Sequence, residues 1–339
     1  IAPEEDNKGP PAQSSVSSPI EVDLKQRAAQ ISQDLRDLLK KSNFNEIIFG
    51  LDLMAVRLAV LDTQSNHFKY SNNIAGILEK IVPANEASLY RTMALLHDIG
   101  KAGPLGDLRD FETLLRGGNG SRVISELSGK SELDEVILYI AKLYNIEVRM
   151  PSVIERLLKL GVSFDQAGLV ENGKVDITRP LTIETYLTLL SLLPEGEDGH
   201  ISEQEKAKII EVLQKIRNPK TGVLFNAEEN TMRDFWNAHT YWGVDILESF
   251  NFPVEIANAI KYHHVAEGSY KEDFGIQEFT EEELLKIARL IVVDKYEAFR
   301  NRAGLSHEEV IAGLKSENAV ISLPSKLRKP YLQVLDSLD

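Results

Sequence analysis

Residues 92–103 read TMALLHDIGKAG, an apolar helical run that stops on a charged pair, His97 and Asp98, with Lys101 just beyond. Gly100 stands where a helix C-cap is expected. A helix that ends this way delivers an imidazole and a carboxylate to one buried end, so other helices must pack around it. Outward from this stretch the same 3.6-residue period recurs almost to the end of the chain. It runs through SLYRTMALLHDIG (88–100), DEVILYIAKLYNI (134–146), SVIERLLKLG (152–161), IETYLTLLSLL (183–193) and KAKIIEVLQKI (206–216). It continues in RDFWNAHTYWGVDILESF (233–250), PVEIANAIKYHH (253–264) and EELLKIARLIVVDKYEAF (282–299). Leu24, Ala28, Ile31, Leu35 and Leu38 or Leu39 place a further amphipathic helix over 21–41. Two helix starts carry capping boxes, Ser202 with Glu205 and Thr280 with Glu283. The one competing signal is LVENGKVDI (169–177), whose Asn-Gly pair predicts a short hairpin. The expected fold is all-α, without an internal repeat.

Composition narrows the partners. A net charge of -14 argues against a nucleic-acid polymer, which needs a basic surface to neutralise phosphates. Any anionic substrate must be met locally. The chain has no cysteine, which excludes disulfides, thiolate ligands and cysteine nucleophiles. No apolar run approaches the length of a membrane span, so no membrane partner is expected in this segment, and a cytoplasmic location is the expectation. The chain begins with Ile, which predicts that an upstream piece has been removed. Residues 1–20 are rich in Pro, Ser and acidic side chains and read as a tail or linker. An N-terminal helical segment is expected over 21–60 and the main domain over 61–336. The 21–41 helix could support a homodimer, although packing on its own core is the commoner use of such a helix.

Five of the seven histidines fall on faces that otherwise read as core. His67 shares a helix face with Ile74 and Leu78, and His97 closes the helix quoted first. His239 follows Phe235 and Trp236 by four and three residues, and Gly243 one turn on permits a close approach of another backbone or a ligand. His263 and His264 end a helix together, three and four residues after Ile260. Asp294 sits on the stripe of Ile287 and Ile291, where a lone buried carboxylate would be costly. His200 and His307 lie in polar contexts and read as surface residues. Taken singly, each inward histidine is roughly three times more often a hydrogen-bonded core residue than a ligand. Together, five imidazoles and two carboxylates carry a desolvation cost that a divalent cation relieves, and borderline metals accept this mixture of N and O donors.

The ordered set H, HD, H, HH, D resembles that of the HD superfamily, and most of all its HD-GYP branch. The likeness rests on NHFKYSNNIAGIL (66–78), LLHDIGKAG (95–103), AHTYWGVDILESFNFPVEIANAIKYHH (238–264) and IARLIVVDKYEAF (287–299), within residues 61–102 and 216–335. Two features depart from the branch. About residues 104–215 look like a helical insertion, a lid or a partner surface. The paired histidines are followed by HHVAEGSYKEDFG (263–275) rather than an acidic residue and a Gly-Tyr-Pro run.

The resemblance implies an HD-type helical bundle and a phosphohydrolase working through two divalent cations, iron or manganese in preference to zinc or nickel. His67, His97, Asp98 and Asp294 would hold one cation, His239, His263 and His264 the other, with Asp98 bridging. Lys101 would meet a phosphate oxygen as a point charge. Thr63 stands where relatives with a third metal place an acidic ligand, so two cations are expected. The implied substrate is a cyclic dinucleotide of the cyclic di-GMP type. Another nucleotide or phosphoester, or a metal-bearing signalling module without turnover, stay open.

Overall fold

A computed structural model describes residues 19–41, 51–65, 67–104, 139–140, 142–144, 150–162, 170–171, 174–175, 181–197, 199–265 and 275–338. Most of the expected N-terminal tail, residues 105–138 of the expected insertion, most of HHVAEGSYKEDFG and the Thr63 side chain lie outside them. The described chain is mostly helical, and its helices form three large apolar clusters and a small fourth one of Val60, Leu61 and Ala102.

The first cluster begins with α1 (Pro19–Lys41), which lays Ala28, Ile31, Leu35, Leu38 and Leu39 against α2 (Leu51–Ser65). Every residue from 54 to 62 in α2 is buried, so this helix shows no amphipathic stripe in the sequence. The expected division at residue 60/61 falls inside it. Arg57 is fully buried here and donates from Nη1 to the Gly103 carbonyl (2.6 Å) and from Nη2 to the Pro104 carbonyl (2.7 Å). Desolvation lowers its pKa to about 10, which leaves it charged near neutrality. It pins the chain just past the His-Asp pair. α3 (His67–Ile81) and α4 (Ala87–Leu96) add to this cluster, which is completed by apolar side chains from 246–260 and by Leu290 and Val293.

The second cluster is built by Ile140, Leu143 and Tyr144, α5 (Met150–Lys159), α6 (Ile183–Ser191), α7 (Glu203–Leu213) and the first half of α8 (Met232–Ser249). The expected hairpin forms: β1 (Val170–Glu171) pairs antiparallel with β2 (Lys174–Val175), Val170 opposite Val175. The third cluster gathers Tyr262 of α9 (Val254–Tyr262), α10 (Glu281–Glu297), α11 (His307–Leu314) and α13 (Ser325–Asp336), with α12 (Glu317–Ile321) at its edge. After α10 the chain loosens into one π turn, Ala298–Arg302. Both expected capping boxes form, and two more appear, Thr231 with Asp234 at the start of α8 and Ser306 with Glu309 at the start of α11. Among the described residues no helix is long and apolar enough to cross a membrane.

α8 ties the first two clusters together. Phe235, Trp236 and Trp242 pack into the second, while Ile246, Leu247 and Phe250 just past its end pack into the first. Each such side chain, fully buried, contributes about 1.5–3 kcal/mol. That apolar burial on both sides holds His239, midway along the helix, in a seam that water would otherwise fill.

Candidate metal centre

The chain meets this seam at five places. Asp62 in α2 accepts the Phe68 backbone N–H on Oδ1 (3.0 Å) and an Arg27 N–H on Oδ2 (2.6 Å), which fixes the joint where α3 begins and His67 emerges. α4 is carried inward by buried Met93, Leu95 and Leu96, then ends, and His97 and Asp98 turn into a 3₁₀ segment, Ile99–Ala102. His239 projects from the middle of α8, His263 and His264 from the end of α9, and Asp294 from the buried stripe of α10.

Gly100 does not cap α4, as the sequence suggested. It lies inside the 3₁₀ segment, and a Cβ there would penetrate the His239 carbonyl oxygen and lie 2.6 Å from the Gly243 nitrogen. Glycine is required because two backbones touch. The expectation for Gly243 holds in the same contact: a Cβ at Gly243 would sit 3.7 Å from the Gly100 nitrogen. The His-Asp turn and the His239 helix are thus in register at the closest distance two chains allow.

All seven sequence-predicted ligands come together, and Asp98 is the hub. Its Oδ2 lies 2.8 Å from His67 Nε2, 3.1 Å from His97 Nε2 and 2.9 Å from Lys101 Nζ. Its Oδ1 faces the other way, 3.1 Å from His239 Nε2 and 3.6 Å from His263 Nε2. Asp294 Oδ1 stands 3.7 Å from His97 Nε2. The His264 ring lies 4.0 Å from that of His263 and 5.0 Å from that of His239. Two ligand groups result, each with donor atoms within 4.8 Å of one another: His67, His97 and Asp98, and Asp98, His239, His263 and His264. Either group could hold a metal ion. His200 and His307 stay outside, yet neither is a free surface residue. His200 Nδ1 donates to the Leu193 carbonyl (2.7 Å), and His307 Nδ1 shares a hydrogen bond with the Tyr296 hydroxyl (2.9 Å). Their polar neighbours in sequence gave no sign of these local partners.

The tautomers follow from simple chemistry. His97 Nδ1 bonds the Ala94 carbonyl (2.7 Å), His239 Nδ1 the Trp236 carbonyl, and His263 Nδ1 the Ile260 carbonyl (2.6 Å). A carbonyl only accepts, so each Nδ1 carries the hydrogen and each Nε2 presents a lone pair. Those lone pairs point at a carboxylate, so electron-rich atoms face each other across about 3 Å. Asp98 Oδ1 and His67 Nε2 are buried with no hydrogen-bond partner. Something positive belongs between Oδ1 and the His239 and His263 nitrogens that face it.

Protons do not fill that role on the Oδ1 side. Burial, outweighing the attraction of Asp98, holds His239 down at about 3 and His263 at about 4. Burial also lowers His67. His97 is the exception, because the Asp98 and Asp294 carboxylates overcome its burial and raise it. Burial would raise Asp98, but His97, Lys101 and His67 hold it well below the usual carboxylate range. A buried carboxylate oxygen facing the neutral His239 and His263 nitrogens is a donor set suited to a divalent cation, and the i−3 backbone bonds are the outer-shell partners that orient ligating imidazoles.

Sequence reasoning passed over Tyr144. It supplies a wall of the centre, with its ring edge-on to His239 at 5.7 Å and Lys101 Nζ 6.0 Å from its centroid. In the sequence it is one more apolar-stripe residue of AKLYNI, with nothing to mark it. No known family model, no curated protein and no solved structure matches this chain.

Proposed function

We propose that this chain is an HD-type metal-dependent phosphohydrolase whose fold is an HD bundle with a large helical insertion, and that it opens a cyclic dinucleotide. The observation that carries the reading is the two-faced Asp98, whose carboxylate oxygens each address a different histidine group. A shared carboxylate between two ligand sets is the arrangement a two-cation hydrolase needs. His67, His97, Asp98 and Asp294 would hold one cation, and Asp98, His239, His263 and His264 the other. Fe or Mn suits this set best, with Zn or Ni also compatible in ligand type.

When bound, such cations supply Lewis acidity, lowering the pKa of water and polarising phosphoryl oxygens. The protein's own groups do the rest. The backbone-bonded Nδ1 atoms keep three imidazole rings from turning, so the site is preorganised before substrate arrives. Lys101 Nζ stands 2.9 Å from Asp98 Oδ2, where its ammonium would meet a non-bridging phosphate oxygen as a point charge. In the reaction a water oxygen bonds to phosphorus, the ester P–O bond breaks, and the leaving oxygen takes up the proton that water gives up.

The segment after the paired histidines, HHVAEGSYKEDFG, lacks a Gly-Tyr-Pro run and favours a second reading, hydrolysis of another nucleotide or phosphoester. The test is incubation of anaerobically Fe- or Mn-loaded protein with cyclic di-GMP or with bis(p-nitrophenyl) phosphate, products separated by chromatography, with Asp98→Ala as the blank. Linear dinucleotide or GMP from wild type alone supports the first reading. Turnover of the generic diester alone supports the second. Two bound metals with no turnover of either would overturn both and leave a signalling module.

A further inference from the structure

We propose that Tyr144, from the insertion, is a positioning residue for His239 and makes the insertion a structural part of the metal centre. This rests on the two-cation reading above. The Tyr144 hydroxyl shares its single hydrogen between the Phe235 carbonyl (3.1 Å) and the Trp236 carbonyl (3.2 Å) of α8. The Trp236 carbonyl is also the acceptor of the His239 Nδ1–H. One oxygen therefore receives both the phenol of the insertion and the imidazole of the centre.

Two donors on one acceptor divide its electron density, so the phenol limits how strongly Nδ1–H is polarised and hence how basic Nε2 becomes toward a cation. The ring acts as well. Edge-on to His239 at 77° and packed 5.3 Å from Phe235, it leaves the imidazole no room to swing away from Asp98. It is 4% exposed, so solvent does not compete for the hydroxyl. His97 and His263 use the Ala94 and Ile260 carbonyls, which receive no hydrogen bond from Tyr144 among those described. Among the described contacts of Tyr144, the histidine of the centre that it meets is His239, one of the group that excludes His67. Whatever shifts the helical turn at 142–144 shifts His239 with it.

The test uses the full chain, stripped of metal and titrated with Mn²⁺ by calorimetry, as wild type, Tyr144→Phe and Tyr144→Leu. Wild type is expected to take up two Mn²⁺. Tyr144→Phe changes the affinity of one site by roughly tenfold and leaves the other unchanged, and Tyr144→Leu, which also removes the wall, weakens that same site by roughly 100-fold. In metal-free protein labelled with ¹⁵N-histidine, Tyr144→Phe is expected to shift the His239 ring-nitrogen signals while those of His97 and His263 stay in place. A purely structural tyrosine moves none of them, or moves all together with the melting temperature, and either result overturns the inference. Two wild-type sites that keep their affinities in both variants overturn it while sparing the function proposed above. A wild-type protein that takes up no Mn²⁺ overturns both.

Discussion

Gly100→Ala adds one methyl group at the tightest point of the molecule. The new Cβ penetrates the His239 carbonyl oxygen and lies 2.6 Å from the Gly243 nitrogen. Ordinary contact needs about 3.5 Å, so to clear the His239 carbonyl oxygen the His-Asp turn and α8 must separate by roughly 1.5 Å. Both obstructing atoms are backbone in a helix wedged between two apolar clusters, and neither can rotate aside. Overpacking of this kind costs about 1–3 kcal/mol, and the rigid partners put this site at about 3 or above. Spread over the unfolding entropy of a 339-residue chain, that corresponds to a fall in Tm of roughly 4 °C. The same separation carries His239 Nε2 away from Asp98 Oδ1, now 3.1 Å apart. Metal-ligand distances tolerate only about 0.2 Å, so uptake should drop from two equivalents. Two companions calibrate the result. At Gly243 the nearest obstruction is the flexible Ile260 Cγ2 at 3.3 Å, which predicts a smaller loss. At Gly76 in α3 nothing lies within 4 Å, so alanine should stabilise by about 0.5–1 kcal/mol through helix propensity. Differential scanning calorimetry and elemental analysis read both quantities. A Gly100→Ala protein with wild-type Tm and full metal content would refute the close-approach argument.

Asp98→Ala is expected to abolish metal loading and hydrolysis with helicity largely intact; full metal content in that variant, measured by mass spectrometry, would sink the proposed centre. In chelator, the protein should lose stability as the pH falls from about 6.5 towards 4. The unfolded chain takes up protons on His67, His239 and His263 near pH 6.5, while the folded state, with these pKa values lowered, does not. Raised His97 acts in the opposite sense, its contribution being present below about 6.5, which leaves three histidines against one, each worth at most about 1.4 kcal/mol per pH unit. A urea midpoint at pH 5 equal to or above that at pH 7 contradicts this. Thr231→Ala removes the hydroxyl that accepts the Asp234 N–H (3.1 Å) at the start of α8, and should cost about 1 kcal/mol in urea unfolding; no change would mean that the cap adds nothing to the helix carrying His239.

The helices were legible where one face is wet and the other dry. Ala28, Ile31 and Leu35 in α1 and Ile287, Ile291 and Asp294 in α10 lie buried on the faces their spacing assigned. α2 was not, because a helix buried all round has no stripe to read and even hides an arginine. The Asn-Gly pair announced its hairpin because that turn has few alternatives. The convergence of the seven ligands could be inferred because imidazoles and carboxylates on apolar faces are costly when alone. Their division between the two sides of Asp98 was expected from the family resemblance alone, since residue spacing does not give the side-chain directions of five elements. Gly100 was misread for a related reason: its sequence position fits a cap, and only the arrival of α8, over a hundred residues on, reveals the backbone it must admit. The capping signature at Ser306 was equally present in the sequence, but His307 within it drew the reading towards a solvated histidine.

The spread of the ligands along the chain sets an order of events during synthesis. His67, His97 and Asp98 come from neighbouring helices, whereas His239, His263, His264 and Asp294 belong to the last third of the sequence. A growing chain advances at about 5–20 residues per second, so the early trio leaves the ribosome many seconds before its partners exist. During that interval Asp98 Oδ1 has nothing opposite it, and the gap is closed only when α8 slides in against Gly100. The seven side chains can therefore meet only on a chain whose last third has been made.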